Sequence, residues 1–98
     1  MKPVLVSDDA EIDFVEALNW YREIDIELAL NFREIILSGY SEIQKAPKMW
    51  SPYDNNYRHY ITKKFPYSII YKEQNNCIKI DAIAHHSRRP GYWLNEED

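Results

Sequence analysis

The chain opens on a short, unbroken apolar run, Val4-Leu5-Val6, then turns polar and acidic at Ser7-Asp8-Asp9. An apolar run of that length predicts a first strand buried on both faces. Asp8, with Glu11 three residues on, predicts a helix start in an acidic variant of the capping box. Ala10, Phe14, Ala17, Leu18 and Tyr21 recur at spacings of three and four, which puts them on one face of a helix ending near Arg22. The pattern breaks at Ile24-Asp25 and resumes. Leu28, Ala29, Phe32, Ile35, Ile36, Gly39, Tyr40 and Ile43 form a second stripe, with Glu27, Glu34 and Glu42 opposite. That predicts a helix from Asp25 to Lys45. Pro47 stops it, because proline offers no amide hydrogen and restricts Ala46 before it. The join is short, so the two helices form an antiparallel hairpin.

Lys48 to Asn56, with Trp50, Pro52 and Asp54-Asn55-Asn56, reads as a loop. The period then switches to two. Tyr57 to Lys64 alternates and predicts a strand. Phe65-Pro66 punctuates it, with the proline at a turn or strand start. Tyr67 to Tyr71 is a second strand, rich in aromatic and β-branched residues. Glu73-Gln74-Asn75-Asn76 is a polar hairpin turn. Cys77 to Ala84 is a third strand, closed by Arg89-Pro90-Gly91. The expected class is α+β in the order β-α-α-β-β-β. The helical hairpin packs on one face of a small, mainly antiparallel twisted sheet. The amino-terminal strand joins at an edge, and the other face stays partly open.

Length bounds the picture. At 98 residues the chain has room for a single domain, and its last residues, 94–98, form an acidic tail. Hydrophobic content of 45% is enough for one core, so wholesale disorder is not expected. Cys77 is the only cysteine, which excludes an internal disulfide and a cysteine-rich metal site and favours a reducing cytoplasm. The amino terminus reads as too short and too soon acidic for a signal peptide. No run approaches the roughly 20 apolar residues of a membrane span, so no membrane partner is expected.

The net charge of −4 hides an asymmetry. Residues 1–44 carry three basic and ten acidic side chains, a net of −7. Residues 45–93 carry nine basic and three acidic ones, a net of +6, and the last five residues add −3. The basic half suits an anionic surface. The plainer reading is that acids sit on helices and lysines on strand edges.

The basic charge gathers in two places: Arg58, His59, Lys63 and Lys64, and then His85, His86, Arg88 and Arg89. Tyr57, Tyr60, Tyr92 and Trp93 lie near them in sequence. Arginine and lysine hold phosphates and aromatic rings stack on bases, so the combination is compatible with an RNA site. A single histidine could serve as general acid or base, although a satisfied structural histidine is the commoner fate. His85 and His86 are adjacent in a strand, point to opposite faces and do not suit one metal. No metal and no cofactor is expected, since the two glycines, Gly39 and Gly91, build no phosphate loop. Trp93 reads first as a lid on the core, Tyr92 equally as lid or site residue, and Cys77 as a structural thiol.

Three strings, with the order of elements, resemble the RelE/ParE family of type II toxin–antitoxin systems. They are Trp20-Tyr21 late in the first helix, Phe65-Pro66-Tyr67 leading a strand to Tyr71, and the last strand running through His85-His86 to Arg88-Arg89-Pro90-Gly91-Tyr92-Trp93. The resemblance spans roughly Val4 to Trp93 and implies a cytoplasmic toxin neutralised by a cognate antitoxin. It implies operator DNA as a partner only through that antitoxin. Two branches diverge. A ParE-like protein implies an inhibitor of DNA gyrase with no chemistry of its own. Arg58, Lys63, Lys64, His85, Arg88, Arg89, Tyr92 and Trp93 are its candidate target-binding residues. A RelE-like protein implies a metal-independent endonuclease acting on messenger RNA at the ribosome. Arg58, Lys63, His86, Arg88, Arg89 and Tyr92 are then the catalytic candidates. There a base would activate the ribose 2′-hydroxyl and arginine would hold the charged phosphate. The negative net charge, and the likeness of the Phe65-Pro66-Tyr67 and Arg89-Pro90-Gly91-Tyr92-Trp93 strings to the ParE side, favour the gyrase branch, with a non-toxic binding module of the same fold as a third reading.

Overall fold

The hydrophobic stripes become two helices laid on a five-stranded sheet. The structure is a computed structural model that describes residues 1–54, 56–89, 91 and 92. In chain order the elements are β1 (Val4–Val6), α1 (Asp8–Ile24), α2 (Ile26–Lys45), β2 (Ser51–Pro52), β3 (Arg58–Ile61), β4 (Tyr67–Glu73) and β5 (Ile78–His85). The sheet order is β1-β5-β4-β3-β2. β1 runs parallel to β5, and the other neighbours are antiparallel. This is the α+β arrangement the sequence predicts.

The helix ends follow local chemistry. Ser7, not Asp8, is the cap of α1: its hydroxyl accepts from the Ala10 amide at 3.1 Å. Asp8, Asp9 and Glu11 occupy the first turn, where acids complement the helix dipole. The two helices meet at one residue. Asp25 donates its amide to the Tyr21 carbonyl at 2.9 Å, and its carboxylate accepts from the Glu27 amide at 3.2 Å. It thus ends α1 two residues later than the periodicity suggests and starts α2.

The core lies between the hairpin and one face of the sheet. Phe32 is fully buried, with its ring centroid 5.1 Å from Tyr21 and Tyr67 and 5.2 Å from Phe65. Burying such a ring contributes about 1.5–3 kcal/mol. Gly39 brings α2 close to the sheet: a Cβ there would sit 2.6 Å from Cδ1 of Ile69 and 3.1 Å from the Tyr60 ring. The buried Tyr71 hydroxyl donates to the Pro47 carbonyl at 2.6 Å, tying the sheet to the segment after α2.

Three features depart from the sequence reading. β1 is not buried on both faces: it is an edge strand, and Leu5 is 53% exposed. β2 forms inside the expected loop, because Ser51 and Pro52 pair with His59 and Arg58. β3 ends at Ile61, since Thr62 turns the chain. Its hydroxyl lies 3.0 and 2.9 Å from the Phe65 and Tyr67 carbonyls, and Lys64 adopts a positive φ of 71°.

A bulge in β5 sets the direction of the side chains beyond it. Ile70 faces Ala82 but Tyr71 faces Ile80, which leaves Asp81 as the extra residue. Its carbonyl takes the Ser7 hydroxyl at 3.4 Å. A bulge resets the alternation of side chains. Ile78 and Ile80 face the helices before it, and Ile83 does so after it. Ala82 turns to the other face and packs with Ile70, Tyr53, Tyr57, Ala84 and Tyr92.

Candidate functional site

The same reset decides where the paired histidines point. His85 faces the helical side, its ring edge-on to Tyr67 with centroids 5.0 Å apart. Its Nδ1 accepts from the Ser87 amide at 3.0 Å, which leaves the proton of the neutral ring on Nε2. His86 faces the open side, with Nε2 3.0 Å from the Ser68 hydroxyl. Its amide donates to the Pro66 carbonyl at 2.8 Å, which fixes the start of the segment beyond β5.

Two clefts flank that segment. The first lies on the open face, where His59, Ser68, His86, Arg88, Arg89 and Tyr92 share a floor of Ile70 and Ala84. Tyr53 reaches over from beyond β2, its ring 5.1 Å from the His59 ring. Burial, and then the neighbouring His86 imidazole, hold His59 below the ordinary histidine value.

The second cleft lies beside α1, between Asp13, Trp20 and Tyr67 on one side and His85, Arg88 and Tyr92 on the other. The Tyr92 hydroxyl donates to Oδ2 of Asp13 at 2.9 Å, and the Ile83 amide donates to the same oxygen at 3.1 Å. The Arg88 guanidinium lies 4.1 Å above the Tyr92 ring, within cation–π range. Gly91 adopts a positive φ of 76°, which glycine tolerates, and so turns Tyr92 back toward α1. Burial pushes the Asp13 carboxyl above its ordinary value, opposed by the Ile83 amide, the Tyr92 hydroxyl and Arg88. Burial likewise pushes the Tyr67 hydroxyl up to about 12, so it stays protonated at neutral pH.

The basic residues of the sequence do not all meet. Arg58 shares the face of the buried Tyr60, opposite to His59, and its Nη1 donates to the Trp50 carbonyl at 2.7 Å. Lys63 and Lys64 follow β3 and flank a groove with Ile35, Ser38 and Glu42 of α2. His86, Arg88, Arg89 and Tyr92 do come together. Trp93 lies outside the described residues. No group of three histidine, cysteine or acidic side chains among the described residues could hold a metal ion. Likewise, no helix among them is long and apolar enough to cross a membrane.

No protein-family model and no curated protein matches this sequence. The fold has a solved counterpart. A chain of the "Chromosomal ParDE TA system from P. aeruginosa" superposes with a TM-score of 0.77. The match covers 87% of this chain and 96% of that one, at 17% identity. At that identity the likeness is one of fold. The fold expected from the carboxy-terminal strings is the fold observed.

Asp13, Ser68 and Tyr53 were not singled out by sequence reasoning. Asp13 carries no signal in the sequence, since its partners Ile83 and Tyr92 are 70 and 79 residues away. Ser68 sits in no nucleophile pattern, and Tyr53 lies in what reads as a loop. His59 did carry a signal, as part of the first basic group.

Proposed function

We propose that this protein is the toxin half of a type II toxin–antitoxin pair, a single cytoplasmic domain kept silent by a cognate antitoxin. The observation that carries the reading is the superposition on nearly all of a ParDE system chain. The carboxy-terminal strings point the same way. Within that reading, the protein acts on DNA gyrase by binding.

Three features favour gyrase over RNA cleavage. A ribonuclease docking in the ribosome meets dense phosphate, and this chain carries a net charge of −4. The Tyr92 hydroxyl is already bonded to Asp13, and Arg88 is stacked on Tyr92. Arg58 is bonded to the Trp50 carbonyl, well apart in register from Arg88 and Arg89. Arg58 and Lys63 thus lie apart from the other catalytic candidates.

The ribonuclease reading keeps one observation in its favour: His86, Arg88, Arg89 and Tyr92 share the open-face cleft. Induction in a bacterial host with a DNA-damage reporter separates the two. Growth arrest with filamentation and a rising reporter is the expected result. Arrest with a flat reporter and new messenger RNA ends would move the assignment to the ribonuclease branch. Unimpaired growth with normal expression would leave a binding module of this fold.

A further inference from the structure

We propose that Asp13 of α1 is a positioning residue for target binding: through the Tyr92 ring it fixes the Arg88 guanidinium in the place where the target meets it. This rests on the toxin reading above and adds to it a residue that need not touch the target.

Asp13 stands outside the segment it holds. It lies on α1 between the buried Ala10 and Ala17, on the face the helix turns to the sheet. The small alanine side chains let α1 lie close to β5, within reach of a short aspartate. β1 pairs with β5 only as far as Ile80, and beyond that point the Ile83 amide donates to Oδ2 of Asp13 at 3.1 Å. The strand thus fixes the carboxylate, and the Tyr92 hydroxyl donates to the same oxygen at 2.9 Å.

The backbone alone does not place the Arg88 side chain. The His86 amide donates to the Pro66 carbonyl at 2.8 Å and the Arg88 amide to the His85 carbonyl at 2.9 Å, which holds the chain as far as Arg88. Arg88 itself is exposed, and among the described residues no carboxylate comes within ion-pair distance of it. What holds its guanidinium is the Tyr92 ring, 4.1 Å away. A ring tied at its hydroxyl keeps one orientation. The stacked guanidinium therefore keeps one place, on the border of the α1-side and open-face clefts that Arg88 and Tyr92 both line.

A charge that no ion pair neutralises is one a target can use. An arginine fixed in advance loses less conformational freedom on binding than a free one, so binding is tighter. Half-burying an acid on the sheet-facing side of a helix is a local cost, and burial raises its carboxyl accordingly. Such perturbed acids gather at functional sites. Glu16 lines the same cleft one turn along and bonds neither Ile83 nor Tyr92, so position rather than charge singles out Asp13.

The test compares the parent chain, Asp13→Ala, Asp13→Asn and Glu16→Gln in growth arrest, with the Arg88 side-chain proton resonances of each purified full chain alongside. Protons held over an aromatic face resonate upfield, so the Arg88 side chain of the parent should be shifted upfield. Asp13→Ala should lose that shift while still folded. It should need about tenfold more protein for the same arrest, the order expected when one long side chain must be ordered on binding. Asp13→Asn keeps an acceptor and should retain both the shift and the arrest, as should Glu16→Gln. A purely structural role would lower the melting temperature of Asp13→Ala and leave the Arg88 resonances of the folded chain in place. That result would overturn the proposal, as would an Asp13→Ala that arrests growth as well as the parent or better. An unshifted Arg88 in the parent overturns it too, so the test does not depend on the alanine variant folding. Unimpaired growth with the parent chain would overturn the toxin reading and this role with it, whereas a toxic parent with an equally toxic Asp13→Ala overturns the positioning alone.

Discussion

Asp13 on α1 and Tyr92 beyond β5 are 79 residues apart in sequence and joined by a 2.9 Å hydrogen bond. The same carboxylate oxygen takes the Ile83 amide, so one acid ties the first helix to the last strand and to the segment after it. Asp13→Ala removes the acceptor for both donors and leaves the Ile83 amide unpaired, at a cost of about 1–3 kcal/mol. Tyr92→Phe keeps the ring under Arg88 and loses only the hydroxyl bond, about 0.5–1.5 kcal/mol. Urea unfolding of both single variants and the double variant checks this. The double loss should fall short of additive, because the two side chains share one interaction. Strict additivity would mean the bond does not contribute.

Asp13 also sets one direction of pH dependence. Its carboxyl is raised in the folded protein, so the folded state holds the proton more tightly than the unfolded chain. Its contribution is full below the ordinary aspartate value of about 3.9 and is lost as pH rises through the folded value. Asp13→Asn stays neutral and keeps an acceptor for both donors. Thermal melts should show the variant level with the parent protein in acid and more stable near neutrality. A variant less stable at both pH values would contradict this.

Glu73 runs the other way. Its carboxylate bonds Lys48 at 2.6 Å and Lys2 at 2.9 Å, and these hold it below the ordinary glutamate value. The contribution is present above that value and is lost as pH falls through the folded one. Glu73→Gln should therefore lower the melting temperature near neutral pH, with the difference closing in acid and in high salt. A difference that persists in acid would assign the loss to packing.

Gly39 tests how close α2 must lie to the sheet. Alanine at a helix interior gains about 1 kcal/mol over glycine when there is room. Here its Cβ would meet Ile69 at 2.6 Å and Tyr60 at 3.1 Å, and overpacking costs about 1–3 kcal/mol. Gly39→Ala should come out destabilised in urea unfolding, and Gly39→Leu much more so. A stabilised alanine variant would show that Ile69 simply rotates away.

Phe32 is fully buried among Phe14, Tyr21, Phe65 and Tyr67. Phe32→Ala should cost about 3–5 kcal/mol. Phe32→Asp should leave no cooperative thermal transition, because a buried carboxylate there has no charged partner.

Much of the fold was legible in the chain. Helix stripes at Phe14, Ala17 and Tyr21, and at Phe32, Ile36 and Ile43, were readable because helix periodicity is local. Pro47 and the strands leading from Tyr67 and toward Ile83 were readable for the same reason. The boundary at Asp25 was nearly so, since one residue's side chain and amide serve both helices.

The candidate site was legible only in part. His86, Arg88, Arg89 and Tyr92 are close in sequence, and one turn beyond β5 gathers them. Arg58, Lys63 and Lys64 share their charge but not their place, because side-chain direction depends on strand register and on where β3 stops. Residue types and spacings determined the order of elements, the core stripes and the charge asymmetry. Tertiary pairing alone put the bulge at Asp81, and so sent His86 to the open face and His85 to the helices. It also brought Asp13 to Tyr92, since a bond across 79 residues leaves no periodic trace in the chain.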